Sequence, residues 1–113
     1  MSVLAGSNRS AKPMPPHIVK VDKDLEALVQ RFLARKRDDL QRAREALAGG
    51  EFDTIRRIGH DLKGAGEAFG FPELSNFGAA LQSAAVAHNE GVLIEQLEAM
   101  EQFMARLRIT LDK

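Results

Sequence analysis

The sequence predicts an all-α protein, an up-and-down antiparallel four-helix bundle. Apolar residues recur three and four positions apart in four successive segments, which is the helical period. Short breaks that contain Gly or Pro separate the segments, and short connections favour antiparallel neighbours. β-branched residues are sparse and never alternate over a useful length, so no strand is expected.

The chain begins with a segment that does not fit the helical pattern. Residues 1–16 are small and polar and contain three prolines, so we interpret them as a mobile tail or linker before a bundle over residues 17–113. The sequence HIVKVD, residues 17–22, follows as a short lead-in. Its three aliphatic residues are expected to cover one end of the bundle.

The first helix is expected to begin after Asp22, which suits an N-cap, and to end at Gly49-Gly50. The face opposite its apolar stripe includes RKRDD, residues 35–39, and is predicted to be a solvated surface of mixed charge. The stripe expected to be buried consists of Leu25, Leu28, Val29, Phe32, Leu40, Ala43 and Leu47.

Three more helices follow. The second is predicted to begin near Asp53 and to end at Gly70, and Pro72 suits the first turn of the third. The sequence HNEG, residues 88–91, separates the third helix from the fourth. The residues expected to be buried are Ile55, Ile58, Leu62, Ala65 and Phe69 in the second helix, Leu74, Phe77, Leu81, Ala84 or Ala85 and His88 in the third, and Leu93, Leu97, Met100, Met104, Leu107 and Leu111 in the fourth.

Composition excludes several classes of function. The chain has 113 residues, with 16 basic and 16 acidic side chains, and so lacks the basic excess typical of a nucleic-acid binder. It has no cysteine, which excludes disulfides and thiolate zinc sites. No run of apolar residues is long enough to span a membrane, so a cytoplasmic protein is expected. The three histidines lack ligand spacing, so no metal site is expected; His17 is expected to be solvated and His88 to lie at a helix boundary.

The second predicted helix carries the side chains that could take part in a reaction. A helix turns about 100° per residue, so His60 lies about 200° from Ile58 and is predicted to face solvent. Gly64 follows one turn later on the same face and leaves bare backbone beside the imidazole. Lys63 can reach back along the helix toward the ring. This combination suits phosphoryl transfer, which depends on positioning and charge neutralisation, although an exposed His beside a Lys is also what an ordinary solvated face shows.

The sequence HDLKGAGEAFG, residues 60–70, closely resembles the signature of histidine-containing phosphotransfer domains, H-x-L-K-G with a closing Gly. The resemblance continues into FPELSNFGAALQ, residues 71–82, and upstream into AGGEFDTIRRIGH, residues 48–60. It covers roughly residues 20–111, nearly the whole predicted bundle. Gly66 departs from the pattern, because the family often has Ser or Ala there.

The resemblance implies a role for each matching residue. His60 would be the phosphoacceptor, Lys63 would favour the phosphoryl group electrostatically, and Gly64 would give a docking partner room. Leu62 would anchor the helix inside, and Gln82 would hydrogen-bond the imidazole and orient it. Glu67 adds a negative charge on the His60 face, either to tune the choice of partner or as an ordinary surface residue.

The resemblance also implies the partners, which would be response-regulator receiver domains, a sensor histidine kinase, or both. The Mg²⁺ needed for the exchange would be held by the receiver, so this chain would bind no cofactor or metal. It would be a phosphocarrier without a kinase active site of its own rather than an enzyme. It would not bind ATP, since nothing resembles a Gly-rich phosphate loop that opens a helix after a strand.

Alternative interpretations are a structural or adaptor bundle without phosphotransfer, the phosphorylated domain of a chemotaxis-type kinase, and a piece of a hybrid sensor kinase. An enzyme built in the bundle core would need carboxylates or histidines on the buried stripes, which contain almost none.

Overall fold

A computed structural model describes residues 15–112. It confirms a mostly helical protein with four α-helices in this range, joined by short connections. All but two residues of the predicted tail lie outside the described residues, so the tail stays a prediction. The elements in chain order are β1 (His17–Asp22), a 3-10 turn (Lys23–Leu25), α1 (Glu26–Ala48), α2 (Phe52–Phe69), α3 (Pro72–Val86), α4 (Glu90–Arg106) and β2 (Leu107–Asp112).

The expectation that no strand forms is wrong. β1 and β2 pair in parallel, with Val19 opposite Ile109 and Val21 opposite Leu111. The fourth helix therefore ends at Arg106. Leu111, which was expected to be buried as part of this helix, lies in β2 and is 43% exposed. Each strand offers only a few β-prone residues, and its partner lies at the other end of the chain, so local periodicity could not reveal the pair.

The start of α1 also differs from the prediction. The Asp22 carboxylate accepts a hydrogen bond from the Asp24 backbone nitrogen at 2.8 Å, but this bond caps the 3-10 turn that precedes the helix. Leu25 and Leu28, expected to be buried, are 49% and 42% exposed and line an open cavity of about 510 Å³. The cavity lies beside the end of α2, where the chain turns at Gly70 and leaves these two side chains uncovered.

Glycines end α1 and α2 as predicted. Gly50 has φ +69° and Gly70 has φ +79°, the left-handed conformation that glycine adopts without steric cost. Behind Gly70, the Phe71 backbone nitrogen donates to the Gly66 carbonyl at 2.8 Å, a bond that closes the last turn of α2. Pro72 then occupies the first turn of α3, so the two helices that form the site are joined by a two-residue break.

The core combines apolar residues from all four helices, but the charged face of α1 is not fully solvated. Residues 35–39 were expected to form a solvated surface, but Lys36 is only 7% exposed. Its Nζ donates to Asp39 at 2.9 Å and lies 5.7 Å from the centre of the Phe32 ring. A lysine can cover apolar surface with its aliphatic stem while its charge stays paired. Leu33, which the predicted stripe omitted, is 1% exposed.

Within residues 15–112, no helix is both long and apolar enough to cross a membrane.

Candidate functional site: the exposed histidine of α2

His60 lies near the middle of α2 and is exposed, as its helical phase predicts. Ile58 and Leu62, two positions away on either side, are 5% and 0% exposed and belong to the core. The apolar face of the same helix therefore fixes the direction in which the imidazole points. No hydrogen bond to the imidazole is formed among the described residues, so its ring nitrogens are accessible for chemistry.

The strip of α2 beyond His60 is open. Outside the neighbouring residues and backbone of its own helix, no heavy atom lies within 4 Å of the position that a Cβ atom on Gly64 would take. Lys63 and Glu67 are both exposed, on the side of α2 that carries His60 and Gly64. A surface from another molecule can thus approach the backbone one turn from the histidine without meeting a side chain at position 64.

The other glycines of α2 have a different function, because they allow α3 to pack close against α2. A Cβ on Gly59 would lie 2.7 Å from both the Gly78 carbonyl oxygen and the Gln82 backbone nitrogen. A Cβ on Gly66 would lie 2.5 Å from the Ser75 backbone nitrogen. Contacts of this kind leave no space for a side chain, so a Ser or Ala at position 66 would require α3 to shift.

Gly78 completes this contact from α3, because a Cβ there would collide with the backbone nitrogen of Lys63. Gly59 lies against Gln82 and Gly66 lies against Ser75, so the residue numbers increase in opposite directions along the two helices. Sequence reasoning missed the role of Gly78. The available signal was a glycine in the interior of each of two consecutive helices, which is unfavourable unless close packing requires it.

Gln82 lies beside the histidine-bearing turn through this backbone contact with Gly59. Its side chain is half-buried and makes no hydrogen bond to His60 among the described residues. The contact places the Gln82 backbone against the turn of α2 that carries His60. That Gln82 orients the imidazole stays a prediction.

Two arginines and one aspartate lie N-terminal to His60 on α2. The Arg56 Nε donates to Asp53 Oδ1 at 2.9 Å, and the Arg57 Nη2 lies 2.9 Å from Asp53 Oδ2. The hydrogen bond from Arg56 is the largest cause that holds the pKa of Asp53 below its usual value, and the charges of both arginines lower it further. Asp53 therefore stays ionised and shared between two cations. Arg56 lies on the same half of the helix as His60, and sequence reasoning assigned it no role.

The remaining histidines lie elsewhere. His17 is half-buried rather than solvated, with its ring 4.9 Å from that of Phe103 and its Nε2 3.4 Å from Glu73. His88 is exposed rather than buried, has φ +53° just after α3, and stacks on Phe52 at 4.2 Å, which fits a boundary residue. In the part of the chain that the structure describes, no group of three or more potential ligands is placed to hold a metal.

The chain matches a known protein family. The model of the Hpt domain family matches residues 27–110, a range that includes all of α2, α3 and α4 and all but the first residue of α1. No curated protein and no solved structure matches the chain. Since the family match extends over most of the chain, the protein belongs to the Hpt domains, the phosphocarrier modules of two-component signalling.

Proposed function

We propose that this protein is a phosphorelay carrier in which His60 holds the phosphoryl group. It receives the group from a receiver-domain aspartate or a histidine kinase and passes it to another receiver-domain aspartate. The observation that carries the proposal is an exposed histidine on a rigid helix, followed one turn later by Gly64 with open space above it. Hpt domains interact with receiver domains or kinases, which gives the class of partner.

The chemistry requires little from this chain beyond position and charge. The lone pair on His60 Nε2 attacks phosphorus, and a P–N bond forms as the P–O bond to the aspartate breaks. The electron pair of that bond leaves on the carboxylate, and the ring proton stays on Nδ1. The reverse reaction passes the group on. The ammonium of Lys63, three residues away on an exposed position, neutralises charge on the phosphoryl oxygens.

The same proposal gives three neighbouring residues supporting roles in phosphoryl transfer. Gln82 orients the imidazole from α3, Gly64 lets the partner approach, and Glu67 lies on the surface that the partner meets. The Mg²⁺ is held by the receiver, and this chain needs no cofactor of its own. The four helices form an up-and-down antiparallel bundle in residues 17–113, and the exchange takes place in the cytoplasm.

Phosphoryl transfer from a receiver tests the proposal. The protein is incubated with a receiver carrying radiolabelled aspartyl phosphate, and label that is acid-labile and base-stable is followed on this chain. We expect label on the wild type and none on His60→Gln. The matched control is His88→Asn, which changes another exposed histidine and introduces a residue that tolerates positive φ; it should label like the wild type. Equal labelling of the wild type and His60→Gln would exclude His60 as the acceptor, and an adaptor without phosphotransfer would show no label at all.

A further inference from the structure

Arg56 occupies a position on the His60 face that the proposed mechanism does not use. It lies four residues before His60, about one turn or 6 Å along the axis. Measured around the helix from His60, Arg56 lies at about −40° and Lys63 at about −60°, so the two cations flank the histidine on the same side. Side chains of a helix lean toward its N-terminus, so the imidazole leans over the turn that carries Arg56.

That side of α2 faces α3. Gly59, which touches the backbone of Gln82, lies at about −100° from His60, and the Lys63 backbone contacts Gly78. A phosphoryl group on His60 Nε2 that leans toward Gln82 therefore lies in a strip with Lys63 at one end and Arg56 at the other. Arg57 lies at about +60°, on the opposite side of the histidine.

The ion pair with Asp53 leaves Arg56 ready to bind an anion. Its Nε donates to Asp53 Oδ1 at 2.9 Å, and its two terminal nitrogens have no partner among the described residues. Arg57 instead uses a terminal nitrogen, Nη2, for the same carboxylate. The Arg56 side chain is also the less exposed, 39% against 72%. A guanidinium fork with both terminal groups available matches the oxygens of a phosphoryl group.

We propose that Arg56 is a second phosphoryl-binding residue, and that Asp53 is its counter-ion when His60 is unmodified. This inference rests on the proposed phosphoryl transfer to His60. Arg56 forms and breaks no covalent bond. It donates hydrogen bonds to phosphoryl oxygens while the P–N bond forms, and Asp53 competes with those oxygens for the guanidinium.

Competition between Asp53 and the phosphoryl oxygens for Arg56 has a consequence that a purely structural ion pair would not have. Arg56→Gln and Asp53→Asn remove the same ion pair, so their effects on folding have the same sign. Their effects on phosphorylation should have opposite signs. Loss of Arg56 removes a donor to the phosphoryl group, whereas loss of Asp53 removes the competitor and frees the donor.

A small donor tests this without a docking partner. Phosphoramidate transfers its phosphoryl group to His60 Nε2 as its own P–N bond breaks and the electron pair leaves with ammonia. Labelling of the His60 peptide is followed by mass spectrometry, and folding is checked by urea unfolding. We expect Arg56→Gln to slow labelling about fivefold, as loss of one charge-assisted hydrogen bond at an exposed site would.

The control and the opposing variant complete the test. Arg57 also pairs with Asp53 but lies on the other side of His60. Arg57→Gln therefore removes the same charge as Arg56→Gln but should slow labelling by less than about twofold. Asp53→Asn should speed labelling, and Arg56→Lys should recover part of the rate. Equal slowing by Arg56→Gln and Arg57→Gln, no slowing by Arg56→Gln, or slowing by Asp53→Asn would each overturn the role of Arg56 and leave the phosphoacceptor role intact. Absence of label on wild-type His60 would overturn both proposals.

Discussion

Gly59 and Gln82 lie in direct backbone contact: a Cβ atom on Gly59 would be 2.7 Å from the Gln82 nitrogen. This contact brings α3 against the turn of α2 that carries the histidine. It depends on the absence of a side chain at position 59, whereas the glycine at position 64 faces open space. The two glycines, five residues apart in one helix, therefore have opposite structural roles, and their substitution should have opposite effects.

Gly59→Ala is expected to destabilise the protein by about 1–3 kcal/mol, since the new methyl group would collide with backbone atoms that cannot move independently. Gly64→Ala is expected to stabilise it by about 0.5–1 kcal/mol, because alanine favours the helix and nothing obstructs its Cβ. Urea unfolding measures both. If Gly59→Ala does not lower the unfolding midpoint, the packing role assigned to Gly59 is wrong, whereas a lower midpoint for Gly64→Ala would contradict the open space at position 64.

Gly64→Gln should separate stability from function. A long side chain on the open strip would obstruct a docking receiver, so we expect transfer from a phosphorylated receiver to slow by about tenfold or more. The free energy of unfolding should not fall, because glutamine also favours the helix over glycine and nothing outside the local helix backbone lies within 4 Å of the Cβ position. Labelling by phosphoramidate, which needs no docking, should also change little. Parallel losses of stability and transfer would show that Gly64 serves packing.

Phe32→Ala tests the contact between α1 and the end of α2. Phe32 is fully buried and stacks on Phe69 at 4.2 Å, with Phe71 at 5.8 Å. Loss of a buried aromatic ring typically costs about 3–5 kcal/mol. Thermal or urea unfolding should show this loss, while the phosphoramidate labelling rate per folded molecule stays near that of the wild type. A cost below about 1 kcal/mol would mean that the stack contributes little to the core.

Asp53 gives a pH-dependent prediction. Its pKa lies below the usual value of 3.8 in the folded protein, so its contribution to stability is present above that value and is lost as the pH falls through the lower folded-state pKa. A carboxyl NMR titration should therefore show a midpoint below 3.8. Because the hydrogen bond from Arg56 is the largest cause, Arg56→Gln should raise the midpoint more than Arg57→Gln. A larger rise in Arg57→Gln would reverse the assignment of the stronger partner.

The sequence predicted the features that depend on local chemistry. Gly70 ends α2 because the left-handed conformation after the helix favours glycine, and Pro72 begins α3 because its missing N–H is not needed in the first turn. The exposure of His60 followed from its phase relative to Ile58 and Leu62. These inferences need only the residues of one helix and its ends.

Features that depend on distant residues were missed. β1 pairs with β2 across almost the whole chain, and neither strand is long enough to show its period alone. Lys36 is buried because the stem packs near Phe32 and the charge meets Asp39, which a pattern of charged letters does not reveal. The reason for Gly59 and Gly66 became visible only with the facing backbone of α3.

Peptide mapping shows whether His60 carries the phosphoryl group. The protein is incubated with a phosphorylated receiver, digested at neutral or basic pH, and analysed by mass spectrometry that locates the phosphate. We expect one phosphate on His60, which is lost in His60→Gln and unaffected in His88→Asn. Phosphate on another residue, or none on the wild type while the receiver remains competent toward a second histidine carrier, would contradict it.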